Sequence, residues 1–182
     1  MALETAPGAP DADSYASLAA ADAWHTARGN AAWAAGAEAM RENALRRATT
    51  WIDAAYGARF TGAKTNGRSQ ALAWPRAGAV DAAGVALPSA EIPMEIVRAT
   101  AEAAMRELAA PGSLSPDVVP LSTTGGAVKR LRKKVGPLET ETEFSEGVTS
   151  GPTQPTFPVI DGLLAGLFGS RAGGGMVRLL RA

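Results

Sequence analysis

The chain is 182 residues long, enough for one domain of ordinary size, and its 18 basic and 18 acidic residues cancel. Such a balance leaves no global field to draw in nucleic acid or an anionic membrane, so any nucleic-acid contact has to be local. Cysteine is absent, which excludes disulfides and thiolate metal sites; no apolar run approaches the ~18 residues that span a bilayer, and residues 1–15 lack the basic and apolar regions of a signal peptide. A soluble protein made in the cytoplasm is expected.

Residues 1–16 are small, acidic and proline-containing, and predict an extended arm with little core of its own. Ser17 is placed to cap a short helix through Leu18, Asp22 and Trp24 that stops at Gly29. A stronger helical period begins near Ala37, with Met40, Ala44, Ala48, Trp51 and Ala55 on one side and Glu42 paired with Arg46 at i,i+4, and it ends by Gly57. From Thr61 to Ser69 turn-forming residues, including Asn66-Gly67, predict an exposed loop. Trp74 precedes Pro75 and is thereby pushed towards an extended or turn conformation. Ile92-Pro93 opens a third helix, because proline's fixed φ and missing N–H suit a first turn. There Val97, Ala101, Ala104 and Leu108 mark a core face, with Glu95, Arg98, Glu102 and Arg106 on another.

Beyond Pro111-Gly112 the composition turns to Pro, Gly, Ser and Thr through Gly126, which marks a domain edge. A basic run, Lys129 to Lys134 followed by Val135, then meets Gly136-Pro137 and the stretch Leu138 to Phe144. In that stretch Glu139, Glu141 and Glu143 alternate with Leu138, Thr140, Thr142 and Phe144, which reads as a strand paired with the basic one. Opposite charges on paired strands contribute about 0.2–1 kcal/mol each, so this hairpin, over about residues 128–144, is expected to lean on another chain's sheet. Residues 147–158 read as flexible. Residues 159–168 predict a short amphipathic helix whose glycines each cost roughly 1 kcal/mol, so that it orders on docking. The triplet Gly173 to Gly175 is read as a hinge before Met176 to Arg181. The expected fold is mainly α: a helical bundle of three to four helices over residues 17–112, an extended N-terminal arm at 1–16, and an extended C-terminal arm at 113–182 carrying the hairpin and the short helix.

No set of residues converges on catalysis. His25 is the only histidine, and beside Trp24 on an alanine-rich helix it reads as a half-exposed structural residue rather than a base. Asp11 and Asp13 lack the spacing of a calcium loop and read as a solvated acidic arm, and the glycine triplet is not followed by the Lys-Ser/Thr of a phosphate loop. No enzyme activity, cofactor or metal is expected. Trp24, Trp33, Trp51 and Trp74 allow two readings, base-stacking platforms or fillers of an alanine-rich core. Helical spacing places Trp24 and Trp51 in the core, while Trp74 stays open. The basic run reads first as a solvated strand face with an acidic partner and second as a phosphate-binding patch.

Several pieces in order resemble one family: Asp13-Ser14-Tyr15, Arg47-Ala48-Thr49, Gln70 to Arg76 with its Trp74-Pro75-Arg76, Ile92-Pro93, Thr100 to Ala104, Val128-Lys129-Arg130, Lys134 to Pro137 and Asp161 to Leu164. The chain is similar in these to the tailed-phage head-to-tail connectors, or neck adaptors, a family that often carries the label "DnaT-like ssDNA-binding protein". The resemblance implies a virion structural protein at the head–tail junction: a homo-oligomeric ring, commonly a dodecamer, docked under the portal protein. Such a ring extends the channel for packaged double-stranded DNA and receives a stopper or tail terminator, without a membrane. On this reading Lys129, Arg130, Leu131, Val135, Leu138, Phe144, Leu163, Leu164, Leu167 and Phe168 contact the portal or a neighbouring subunit, and Trp74, Pro75, Arg76, Ile92 and Pro93 are structural signature positions. The label itself implies the alternative, a single-stranded-DNA-binding replication accessory protein, which draws on the basic run and the tryptophans.

Overall fold

Ser17 caps the first helix through its hydroxyl, which accepts from the Ala20 N–H at 3.2 Å, and α1 spans Leu18–Thr26. A computed structural model describes residues 3–115, 130–135, 138–143 and 157–169, the strands at 130–135 and 138–143 by their backbone alone. After α1 the chain turns through Gly29 (φ +66°) into α2, Ala31–Ala34, an element too short for any periodic window to reveal. The second period forms α3, Glu38–Tyr56, which buries Ala44, Leu45, Ala48, Thr49, Trp51, Ile52 and Tyr56. Met40, expected on that buried side, is 53% exposed, at the edge of an open groove that it lines with Met105 and Leu108.

Helix α4, Met94–Ala109, starts directly after Pro93. Its buried stripe is wider than the expected i,i+4 line: Ile96, Ala99, Thr100, Ala103 and Glu107 join Ala101 and Ala104, whereas Val97 and Leu108 are half-buried. The physical reason is that α4 is central. It packs most extensively on α3 and also on α1 and on a late helix, α5, at Pro158–Leu164, so three neighbours cover different parts of its surface. Alanines let the helices approach closely, and large rings fill the space between them.

Between α3 and α4 the expected loop carries a small sheet: β1, Ala63–Lys64, pairs antiparallel with β2, Arg76–Ala77. Gly62 sits at φ +71°, where a Cβ would lie 2.4 Å from the Ala77 carbonyl oxygen, so only glycine lets the chain pass here. The Trp74–Pro75 peptide is cis. Arg76 then ties the region together, its guanidinium donating to the carbonyls of Thr61 (2.7 Å), Gly62 (2.7 Å), Phe60 (3.3 Å) and Ala73 (3.3 Å).

The N-terminal segment is not the arm its composition predicts. Ala12, Ser14, Tyr15 and Ala16 are buried, the Tyr15 N–H donates to Thr49 Oγ1 at 3.2 Å, and the Tyr15 hydroxyl donates to Asp53. Asp13, expected to be solvated, pairs with Arg46 at 2.6 Å. One aromatic residue with the right polar partners fixes a segment that is otherwise small and acidic.

By contact the chain divides into two units, residues 1–114 with 156–182 and residues 115–155. The expected C-terminal arm is therefore not one piece. In the second unit β3, Arg130–Val135, pairs antiparallel with β4, Leu138–Glu143, in a register that sets Arg130, Arg132 and Lys134 opposite Glu143, Glu141 and Glu139. In the first unit α5 and the turn that follows it are held within the body. Ile160, Leu164 and Leu167 are buried, Tyr56 Oη donates to Asp161 Oδ1 at 2.8 Å, and Phe168 forms an antiparallel bridge with Phe60. Leu163 and Phe168 are half-buried. Leu163, Leu164, Leu167 and Phe168, assigned above to a neighbouring subunit or portal, pack in or against this chain's own core, and that burial offsets the cost of the helix glycines.

Candidate nucleic-acid interface

The four tryptophans separate into three core residues and one surface residue. Trp33 and Trp74 are each 1% exposed and Trp51 is 7% exposed, so none of the three offers a face to a base. Trp33 donates from Nε1 to Asp22 Oδ1 at 2.6 Å, and Trp51 meets Tyr56 and Phe157 edge-on at 5.5 and 5.2 Å between centroids. Trp24, expected in the core, is instead half-buried at the junction of α1 and α4. Its period matched the core, but α4 presents a charged edge there rather than an apolar one.

That edge gives the ring its setting. Trp24 Nε1 donates to Glu102 Oε1 at 2.9 Å. The Arg28 guanidinium lies over the indole, its Cζ 3.0 Å from the ring centroid, and the Arg98 Cζ is 5.5 Å from the same centroid. At 3.0 Å only a face-on guanidinium fits above the ring, since an edge-on one would clash. Arg28 is also pinned from the side: its Nη1 donates to the Trp24 carbonyl at 3.2 Å, and its Nε stands 4.0 Å from Glu102. Glu102 is shared with Arg106 at 3.6 Å. The Arg28 side chain nonetheless stays 43% exposed, so part of it remains open to solvent. Trp24 and Arg28 lie four residues apart, and Arg98, Glu102 and Arg106 follow at spacings of four along α4, so two helical stripes meet to form one aromatic–cationic face.

Beneath this face His25 is buried, not half-exposed as expected. Its Nε2 lies 3.1 Å from the Ala101 carbonyl and its Nδ1 3.0 Å from Asn30 Nδ2, while its ring packs on Trp33 at 4.6 Å between centroids. A neutral ring satisfies both bonds, with Nε2–H donating and Nδ1 accepting. Burial pushes the His25 pKa below the ordinary 6.5, against the opposing pull of the Ala101 carbonyl. Because the unfolded chain takes up the proton first, the stability from neutral His25 is complete above pH 6.5 and is lost as pH falls through the lower folded value. Urea unfolding is therefore expected to show a drop between pH 7 and pH 5 that His25→Gln flattens.

The other residues singled out by sequence lie elsewhere. Trp74, Pro75 and Arg76 serve the buried region described above, and Ile92 and Pro93 pack at the start of α4, half-buried. Arg130, Leu131, Val135 and Leu138 occupy the β3–β4 ladder, and Lys129 and Phe144 fall outside the described residues. On that ladder the backbone register sets Arg130, Arg132 and Lys134 opposite Glu143, Glu141 and Glu139. Arg59 forms a second guanidinium–ring stack, 3.6 Å from the Phe168 centroid, beside an open cavity of about 510 Å³ lined by Ala58, Arg59, Phe168 and Gly169. Among the described residues no group of three or more His, Cys, Asp or Glu side chains is placed to hold a metal ion, and no helix is long and apolar enough to cross a membrane. Sequence reasoning missed Arg28 and Arg98. The available signal was Trp24 and Arg28 at i,i+4 just before a helix-ending glycine.

Comparison with known families gives a match over residues 1–182 to the family described as "Putative DnaT-like ssDNA binding protein". No curated protein and no solved structure matches the chain. The family match overturns the connector reading, with its virion ring and its portal, tail and double-stranded-DNA-channel partners. The motifs that prompted it do structural work in this chain: Tyr15, Thr49 and Asp161 hold segments of the body together, and such bonds specify a fold rather than an assembly. The chain belongs to the DnaT-like ssDNA binding protein family.

Proposed function

We propose that the protein binds single-stranded DNA as an accessory factor of replication, acting by binding alone with no bond made or broken. The observation that carries this reading is the α1–α4 face, where a half-exposed tryptophan and the arginines Arg28 and Arg98 stand together. Single-strand binders combine cations that track the backbone with planar groups on which bases stack, and the combination tolerates any sequence. Family membership supplies the ligand class. Zero net charge is compatible with it, because the attraction then comes from this local cluster and not from the whole molecule.

One or two neutralised phosphates, the number that the two arginines of this face allow, predict a slope of log K against log salt of about −0.7 to −1.4 on single strands. Fluorescence anisotropy of a labelled oligo-dT between 50 and 200 mM salt measures it. Absence of binding at low salt, or tighter binding to a duplex of the same length, overturns the reading.

A further inference from the structure

We infer that the Arg28 guanidinium, laid flat on Trp24, is a nucleobase-stacking platform, so that indole, guanidinium and an incoming base form a three-layer stack while Arg98 contacts the adjoining phosphate. This rests on the single-strand reading and adds which group meets the base.

The indole itself is not the free surface. Arg28 already occupies one of its faces at 3.0 Å, and Trp24 packs against the core as a half-buried residue. A base that displaced Arg28 would have to break the bond from Arg28 Nη1 to the Trp24 carbonyl and the approach to Glu102. Stacking on the outer guanidinium face breaks neither. Arginine planes accept bases as aromatic rings do, and here the plane is fixed before binding, so little side-chain freedom is lost. The turn that presents it is fixed as well: the Arg28 N–H donates to the His25 carbonyl and the Asn30 N–H to the same oxygen, at 3.1 and 3.0 Å. Arg59 on Phe168 is a looser version, since among the described residues no hydrogen bond holds its guanidinium in plane.

Arg98 differs in kind. It is exposed, and its Cζ lies over the indole at 5.5 Å from the centroid, well beyond the 3.0 Å of Arg28. A phosphate needs a positive charge there and not a plane, so lysine can replace it.

The platform hypothesis separates charge from shape. In anisotropy titrations with oligo-dT, Arg28→Lys keeps the charge and is expected to lower affinity roughly fivefold or more, the range for loss of one stacked base. Arg98→Lys is expected to change affinity by less than about twofold. A wild-type titration with an abasic strand of equal length is expected to fall by the same factor as Arg28→Lys, and the variant should then bind dT and abasic strands alike. Equal wild-type affinity for the two strands, or Arg28→Lys binding dT as wild type does, overturns the platform and leaves the single-strand reading standing. Wild-type protein that binds neither strand overturns both. The comparison of strands uses unaltered protein, so it is decisive even if a variant folds poorly.

Discussion

Alanine at Trp74 is expected to lower the free energy of unfolding by about 3–5 kcal/mol, the cost of emptying a large buried aromatic site. The indole is 1% exposed and meets Phe60 near edge-on at 5.4 Å. Around it the backbone is fixed by groups that cannot follow a collapse: the Trp74 N–H donates to Tyr15 Oη at 3.2 Å, and Asp53 Oδ2 accepts from the Ala73 N–H at 2.9 Å. Arg76 holds the opposite wall through the carbonyls of Thr61 and Gly62. The cavity therefore stays open, and cost rises with residual volume. Trp74→Phe separates ring volume from polarity. Trp74 Nε1 is buried without a hydrogen-bond partner among the described residues, and an unpaired buried donor costs about 1–3 kcal/mol. Phenylalanine removes that donor along with part of the volume, so its net cost is expected to be about 1–2 kcal/mol at most. Urea unfolding followed by circular dichroism measures both variants. A phenylalanine variant as unstable as the alanine one would mean that the indole N–H makes a bond which the structure does not contain.

The elements that sequence reveals best here are those carried by local chemistry. Ser17 before an alanine run, the 3.6-residue period from Ala44 to Ala55 and Pro93 at a helix start each act within a few residues of their effect. The alternation of Glu139, Glu141 and Glu143 against Thr140 and Thr142 likewise places β4. What stays hidden depends on partners far along the chain. Nothing near Tyr15 announces that Thr49, Asp53 and Trp74 converge on it across separations of 34, 38 and 59 residues. The same holds for α5, whose apolar residues look unpartnered until Tyr56, Phe60 and α4 are seen beneath them. An apolar segment after a long polar stretch reads as an interaction arm, because sequence cannot distinguish a partner in cis from one in trans. Trp24 failed in the other direction. Its helical period was right, but period reports which side of α1 faces the body, and the body there is the charged edge of α4.

Glu107→Gln is expected to destabilise the protein by about 2–4 kcal/mol, in spite of nearly identical shape. The Glu107 carboxylate is buried at the end of α4 and accepts from every side. Its Oε2 receives Arg47 Nε and the Gly112 N–H, each at 2.8 Å, and its Oε1 receives the Leu114 N–H at 3.1 Å. These bonds fold the turn after α4 and bring Leu114 into the core. Glutamine offers one acceptor oxygen, so whichever way the amide is set, its NH₂ faces an N–H donor and a charge-assisted bond is lost. Alanine would confound this with lost packing, which is why the isostere is the sharper variant.

The pH dependence gives the same assignment an independent check. Burial alone would raise the Glu107 pKa, but the Gly112 and Leu114 N–H groups and Arg47 together hold it below the ordinary 4.5. A depressed carboxyl contributes stability that is complete above the ordinary value and is lost as pH falls through the folded one. Asp53 acts in the opposite sense. Burial raises its pKa in spite of the bonds from Tyr15 and Ala73, so its contribution grows as pH falls and is lost as pH rises through the folded value. The acid limb of wild-type stability below pH 4.5 is thus a difference in which Glu107 supplies the loss. Removing Glu107 leaves the Asp53 gain uncompensated by it, and Glu107→Gln is expected to show a shallower fall from pH 5 to pH 3.5 than wild type. An unchanged acid slope, with the variant merely displaced to lower stability throughout, would mean that the loss comes from the missing acceptor alone and that the charge of the carboxylate makes no net contribution to stability.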